Sequence, residues 1–364
     1  MIIDLHCHYV LTRRTAAAGQ RFSFEPAVGA DGSPAADASV SPRAAGWWSS
    51  WALRRLLGVD PVLPPGEALD ALLTAVHEGH LLSEGPIERF VLLAFDAYHD
   101  NAGRALPWPT SASQPGSDLY ASNSLVAELC RQRPDRFLLG ASVHPYRRGA
   151  VDCLTEVFEG GACLLKWLPL HQNIDVADAR SVAMLRRCAE LGLPVLAHYG
   201  PEFTLSTNHP EHASVTALLH VLRRLRREGA MPAVIVAHAA TPITPFGPRG
   251  SFEALLEALG GEFADAPLYA DVSALTALGK IGFMYELARR VDLHHKLLFG
   301  SDYPIPIGWP LLGLPRRVAR RIRSLPSWPQ QMVHILRHVG FSEIVFHHAA
   351  ELLPLRRAAA RRPG

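Results

Sequence analysis

Eight short apolar segments, each followed by a stretch with helical spacing, recur along this chain, and that alternation constrains its fold more than any other feature. The segments are 1–8, 90–95, 137–143, 162–168, 194–198, 233–238, 267–272 and 296–302. An apolar run suits a strand covered on both faces, as in a parallel sheet packed between helices. Between the runs, 66–82, 118–133, 150–160, 176–192, 212–228, 251–259 and 280–291 repeat apolar residues at three- and four-residue spacing, as in Leu69, Leu72, Leu73 and Val76, and 329–353 closes the series with helices. Eight such units predict an α/β protein of the (β/α)8 TIM-barrel class. The competing open, doubly wound sheet would carry a Gly-x-Gly-x-x-Gly turn after the first strand, and none is present.

A barrel of this class takes about 250 residues. The surplus here falls in 10–64, 97–117 and 303–328, so a single barrel over 1–354 is expected, with 10–64 as a loop and helix insertion after strand one and 355–364 as a basic C-terminal tail. Within the insertion, 16–45 is rich in Ala, Gly, Ser and Pro without a period and reads as a long loop. Residues 47–57, with Trp47, Trp48 and Trp51, read as a short amphipathic helix. An insertion directly after the first strand sits beside that strand's end, where it can act as a lid or simply pack on the barrel.

Composition narrows the class of protein. With 48% hydrophobic and 19% charged residues, the chain has the balance of a soluble globular protein. Its formal charge is +2, and the arginine clusters at 223–227, 316–323 and 356–362 have no aromatic residues interleaved, so they read as solvated faces rather than a nucleic-acid surface. Asp4 and His6 interrupt the N-terminal apolar run, and no stretch of about 20 apolar residues follows. A cytoplasmic protein with no membrane partner is the expectation. Cys7, Cys130, Cys153, Cys163 and Cys188 lack Cys-x-x-Cys spacing and read as reduced, mostly core residues.

In a barrel the chemistry gathers at the C-terminal ends of the strands. Strand one ends in His6 and His8, strand four carries Lys166, strand five ends in His198, strand six in His238, strand seven carries Asp271 and strand eight ends in Asp302. Each alone has a structural explanation as a cap, an N-cap or a snorkelling lysine. Jointly, imidazoles and carboxylates converging on one mouth have the character of a metal site with open positions. Lys166 lies in an apolar strand, so its ammonium must find a carboxylate, become carbamylated or lose its proton.

This ordered set resembles the amidohydrolase superfamily of metal-dependent barrels. More narrowly, 297–306 (LLFGSDYPIP) and 141–146 (ASVHPY) resemble the amidohydrolase-related branch that includes aminocarboxymuconate semialdehyde decarboxylase. The resemblance covers nearly the whole chain, with 10–64 least matched. It implies a divalent metal, zinc foremost, held by His6, His8, His198 and Asp302, with Lys166 and His238 joining if two ions are bound.

Asp302 and His238 would be the catalytic pair, with Asp302 passing a proton from water to the leaving group and a protonated His238 polarising the reacting oxygen. The implied reaction is hydrolysis of an amide, ester or lactone bond in a small molecule. The alternative is zinc-dependent, non-oxidative decarboxylation of an unsaturated or aromatic carboxylate, for which Arg147, or its neighbour Arg148, is a candidate anchor. A barrel that only binds is a third reading. Trp309, the insertion tryptophans and 199–203 are candidate substrate contacts; the oligomeric state is left open, dimers being common among the relatives.

Overall fold

Strand β1 (Ile2–Cys7) is the first stave of a barrel whose other staves are β3 (Ile87–Leu93), β5 (Phe137–Ala141), β6 (Ala162–Trp167), β7 (Val195–Ala197), β8 (Val234–Val236), β9 (Leu268–Asp271) and β10 (Leu297–Leu298); a separate two-stranded ribbon pairs β2 (Ala38–Val40) with β4 (Leu119–Ala121). The computed structural model describes residues 1–16, 21–25, 36–106, 108–109, 111, 113–202 and 204–355. The eight staves run parallel in the order β1-β3-β5-β6-β7-β8-β9-β10. Leu5 N to Phe299 O (3.2 Å), Asp302 N to His6 O (2.7 Å) and His8 N to Tyr303 O (2.8 Å) nearly close the sheet between its two ends. The expected eightfold alternation is therefore the observed one.

Side-chain parity explains what each strand contributes. Ile3, Leu5, Val91, Leu93, Leu164, Leu196, Ile235 and Leu298 pack together with Ala349 and Leu353 of the last helix. This is the barrel interior, plugged at one end. The intervening residues, among them Ile2, Phe90, Leu92, Leu165, Val195, Val234, Ala270 and Leu297, join the larger layer between sheet and helices. Both faces of the strands are thus apolar, which is why the sequence shows runs rather than alternation.

Three expectations need correction. The helix expected over 118–133 begins only at Asn123, because 119–121 pair antiparallel with 38–40 before Ser122 caps the helix by accepting from Leu125 N at 3.0 Å. The loop expected over 16–45 contains that strand and the short helix Pro42–Ala45; a three-residue strand is too short to show a period. The last strand is two residues rather than seven, since Gly300 must press against β1, where a Cβ would lie 2.7 Å from that of His6, and Asp302 then turns with φ +58°.

The insertion is fastened at two carboxylates. Asp37 accepts from Ala16 N (2.8 Å), the Arg21 guanidinium (2.7 and 2.9 Å) and Ser122 Oγ (2.8 Å). Asp118 accepts from Ser41 Oγ (2.9 Å), Arg43 Nε (2.8 Å) and Ser206 N (2.7 Å), which ties the insertion to the loop after β7. The tryptophan-rich helix spans Trp48–Leu56, and Trp51 on it is 50% exposed. The arginine-rich outer helix Val215–Arg227 sets Arg223 against Glu262 and Arg226 against Asp265 (2.9 Å), a solvated ion-paired face as expected. All five cysteines are free. Among the described residues no helix is long and apolar enough to cross a membrane. The basic tail at 356–364, Phe203 and the Trp48 side chain lie outside what is described.

Candidate metal centre

Lys166, His198 and Asp271 lie two residues from the interior positions Leu164, Leu196 and Tyr269, and an even count along a strand keeps the same face, while Asp302 is placed by the turn that follows β10. His6 and His238 do not follow that count. Leu5 belongs to the interior cluster, yet its neighbour His6 also reaches inward to Lys166 and Asp271; a register shift between Asp4 and Cys7 makes this geometrically feasible. His238 follows interior Ala237 and is redirected by left-handed backbone at His238, Ala239 and Ala240 (φ +53°, +49° and +52°). Of the six non-glycine residues with positive φ among the described residues, these three, Ala274 and Asp302 sit in the turns that leave β8, β9 and β10. Each such residue costs about 1–3 kcal/mol and is held by the packing around it, as at sites where geometry serves function.

The side chains converge. Donor atoms of His6, His238 and Asp302 all lie within 4.8 Å of one another. Asp302 Oδ1 is 3.3 Å from His6 Nε2 and 3.2 Å from His8 Nε2, and its Oδ2 is 3.7 Å from His238 Nε2. The rings of His6 and His238 stack at 5.0 Å, and His8 and His198 stand edge-on to them at 5.2 and 5.1 Å. Lys166 Nζ donates to His6 Nε2 at 3.2 Å, and no carboxylate among the described residues lies within ion-pair distance of it. Its pKa is lowered to about 8 by burial, against the pull of Asp302, Asp271 and Glu202.

A second layer orients these groups. His6 Nδ1 donates to Asp271 Oδ2 at 2.8 Å, which directs the Nε2 lone pair into the mouth. Asp271 Oδ1 also accepts from His238 N at 2.7 Å and from the hydroxyl of Ser273, while His238 Nδ1 meets the Ser273 carbonyl at 3.1 Å. Asp4 Oδ1 accepts from Ser301 N (2.9 Å) and His6 N (3.2 Å), joining the first and last strands below the site; burial raises its pKa to about 7. Sequence reasoning named Asp271 without a role and missed Ser273, Asp4 and Glu202. Asp4 could have been found, because it stands two residues before His6 on one strand. Glu202 and Ser273 lie in loops whose path no local pattern reveals.

The donor set fits a divalent cation. Two imidazole nitrogens and a carboxylate that meet, with His8 and His198 bordering them, are donors of the kind zinc and similar ions take. Moreover, among the described residues His198 Nε2 is buried with no hydrogen-bond partner, although a Glu202 oxygen lies 3.4 Å away, and His8 Nδ1 is a second buried nitrogen without one. Burial lowers the pKa of His8 and of His198 to about 4 and that of His238 well below 6.5, so all three are neutral near pH 7, as ligands must be. The protonated His238 expected above is therefore disfavoured, because the enclosed site penalises its charge more than Asp302 and Asp271 reward it.

Two further candidates stand apart from this cluster. Arg147 is clamped by Asp96 (2.6 and 3.1 Å) and donates to Phe24 O at 2.9 Å, so its guanidinium is engaged within the protein. Arg148 is exposed. Trp309 begins a short 3-10 turn, half-buried, with Arg323 stacked over its ring at 4.7 Å.

With the barrel and the site in view, comparison with known proteins is informative. Residues 110–329, more than half of the 364-residue chain, match the family model described as amidohydrolase. The chain belongs to the amidohydrolase family. The matched region of this amidohydrolase includes Lys166, His198, His238, Asp271 and Asp302; His6 and His8 precede it and are brought in by the barrel. An uncharacterised TIM-barrel protein from Bordetella bronchiseptica superposes with a TM-score of 0.51 at 18% identity, covering 96% of each chain. The 4-oxalomesaconate hydratase of Rhodopseudomonas palustris does so with a TM-score of 0.50 at 17% identity, covering 97% of this chain and 96% of the other. At such identities the likeness is one of fold. No curated protein matches the chain.

Proposed function

We propose that this amidohydrolase-family protein is a metal-dependent hydrolase in which water attacks an amide, ester or lactone bond of a small molecule. The observation that carries the reading is the meeting of His6, His238 and Asp302 within 4.8 Å at the C-terminal mouth of the barrel. His6, His8, His198 and Asp302 would hold the ion, joined by Lys166 and His238 if two are bound. When bound, a divalent cation, zinc being a good match to these donors, polarises the reacting carbonyl and makes water more acidic.

The chain's own residues do the rest. Asp302 takes the proton from the attacking water and passes it to the leaving group. Burial works to raise its pKa, but the neighbouring imidazoles, with a hydrogen bond from His8, outweigh this and keep it below the usual carboxylate range, so it is ionised near neutrality and has an oxygen free to accept a proton. Neutral His238, its Nδ1 side taken by Ser273, keeps Nε2 directed at the same point. The segments 141–146 and 297–306 support the narrower assignment to the amidohydrolase-related branch. The decarboxylase reading has less support, because Asp96 already occupies the guanidinium of Arg147.

The test is a substrate screen for hydrolysis products and for carbon dioxide on carboxylates, combined with metal analysis. Asp302→Asn is expected to keep substantial metal and lose roughly 10²–10⁴-fold in turnover. Unchanged turnover would refute the assignment of Asp302, and carbon dioxide release would replace the hydrolase by a lyase.

A further inference from the structure

The loop leaving β9 brings a lysine to the mouth of the barrel. Its path is set by close backbone contacts. Ala274 turns with φ +53° and donates to Ser301 O at 3.3 Å, and Gly308 N donates to Thr276 O at 2.8 Å. Gly279 lies so close to the loop after β8 that an added Cβ would be 1.8 Å from Ile243 O, so no larger residue fits without moving the loop. The next residue is Lys280, half-buried.

Its ammonium donates to Thr241 Oγ1 at 3.1 Å and points at Thr241 O at 3.5 Å. Thr241 N in turn donates to His238 O at 3.0 Å, so Lys280 is anchored to the turn that aims His238. The carboxylates facing Lys280 are Glu202, Asp302 and Asp271. None is within ion-pair distance among the described residues, and each has partners of its own. Asp271 is held by His6 and Ser273, Asp302 lies against His6 and His8, and Glu202 accepts from Thr204 N and faces His198. An ammonium has three N–H donors, and the two oxygens of Thr241, both neutral, leave donor capacity unused.

Other cations described near the mouth have different surroundings. Lys166 is turned to His6, Arg147 is clamped by Asp96, and Arg43 is bound to Asp118. A half-buried ammonium with neutral partners, fixed by a glycine contact beside the reacting centre, is a ready anion site.

We propose that Lys280 anchors a carboxylate group of the substrate beside the His238–Asp302 centre, so that the protein acts on a small carboxylic acid derivative. This rests on the hydrolase reading for its location, and it adds the substrate class.

The experiment uses metal-loaded protein and calorimetric titration with malonate and its uncharged counterpart malonamide, so that it reads binding rather than turnover. Malonate is expected to bind the wild type, to weaken at least about tenfold in Lys280→Met and to recover most of that loss in Lys280→Arg, with malonamide unchanged across the three. Lys280→Gln gives the same reading if methionine upsets the loop. Equal malonate binding by wild type and Lys280→Met, or no malonate binding by the wild type, would overturn the proposal. Metal analysis of the same samples separates this from failure of the hydrolase reading, which would show as absence of bound and reloadable metal.

Discussion

His6 and Asp271 stand 265 positions apart in the chain and meet at 2.8 Å, both buried, with the imidazole Nδ1 donating to the carboxylate. The bond selects one tautomer of His6 and leaves Nε2 as the nitrogen that faces the mouth. Asp271→Asn removes the charge that holds this tautomer while keeping the shape. Metal affinity, read by competition with a chelator, is expected to fall about 10–100-fold. An affinity within twofold of wild type would show that the pair serves packing alone.

Arg147 and Asp96 form a buried pair with two contacts, at 2.6 and 3.1 Å. Asp96 is held well below the usual carboxylate range: burial opposes this, and Arg147 and His99 outweigh it. Arg147→Met should strand the carboxylate and lower unfolding stability by about 3–5 kcal/mol, with part of the loss recovered in the double variant with Asp96→Asn. Urea denaturation checks this. If stability holds while substrate affinity falls, Arg147 is a substrate contact instead.

His77 and His144 predict acid sensitivity well above the carboxylate range. His77 lies between Tyr303 OH (3.0 Å) and Val10 O (2.9 Å), and His144 accepts from Tyr146 N (3.0 Å) and meets Gln172 O at 2.7 Å. Burial lowers their pKa values to about 4 and about 3. Unfolded, each would titrate near 6.5. The folded state therefore binds fewer protons between these values, so stability is complete above about pH 6.5 and declines as pH falls toward 4 and then 3, by ~1.4 kcal/mol per pH unit for each histidine once below 6.5. In chelator-treated protein His8 and His198, also near 4, add to the slope. Urea midpoints from pH 7.5 to 5 should fall steadily, and a flat profile would contradict the burial of these rings.

Much of the site was legible because a barrel turns strand order into geometry. Once 162–168 and 194–198 were read as strands, Lys166 and His198 had to face the interior mouth, since each keeps the parity of an apolar interior neighbour, whereas Asp302 is brought there by the turn after a two-residue strand. The ribbon of 38–40 with 119–121 was not legible, because three residues show no period and their pairing spans about eighty positions.

The amino-acid sequence by itself determined the barrel, through apolar runs that need cover on both faces, and it placed the histidines and aspartates at strand ends. Tertiary structure alone decided which of them meet. The register shift in β1 and the left-handed turn at His238 bring in two imidazoles that strict alternation would have turned away, and both depend on neighbouring strands holding the backbone in place. The environment of Lys166 and the place of Lys280 were likewise decided by packing, because a charge's partners come from loops distant in the chain.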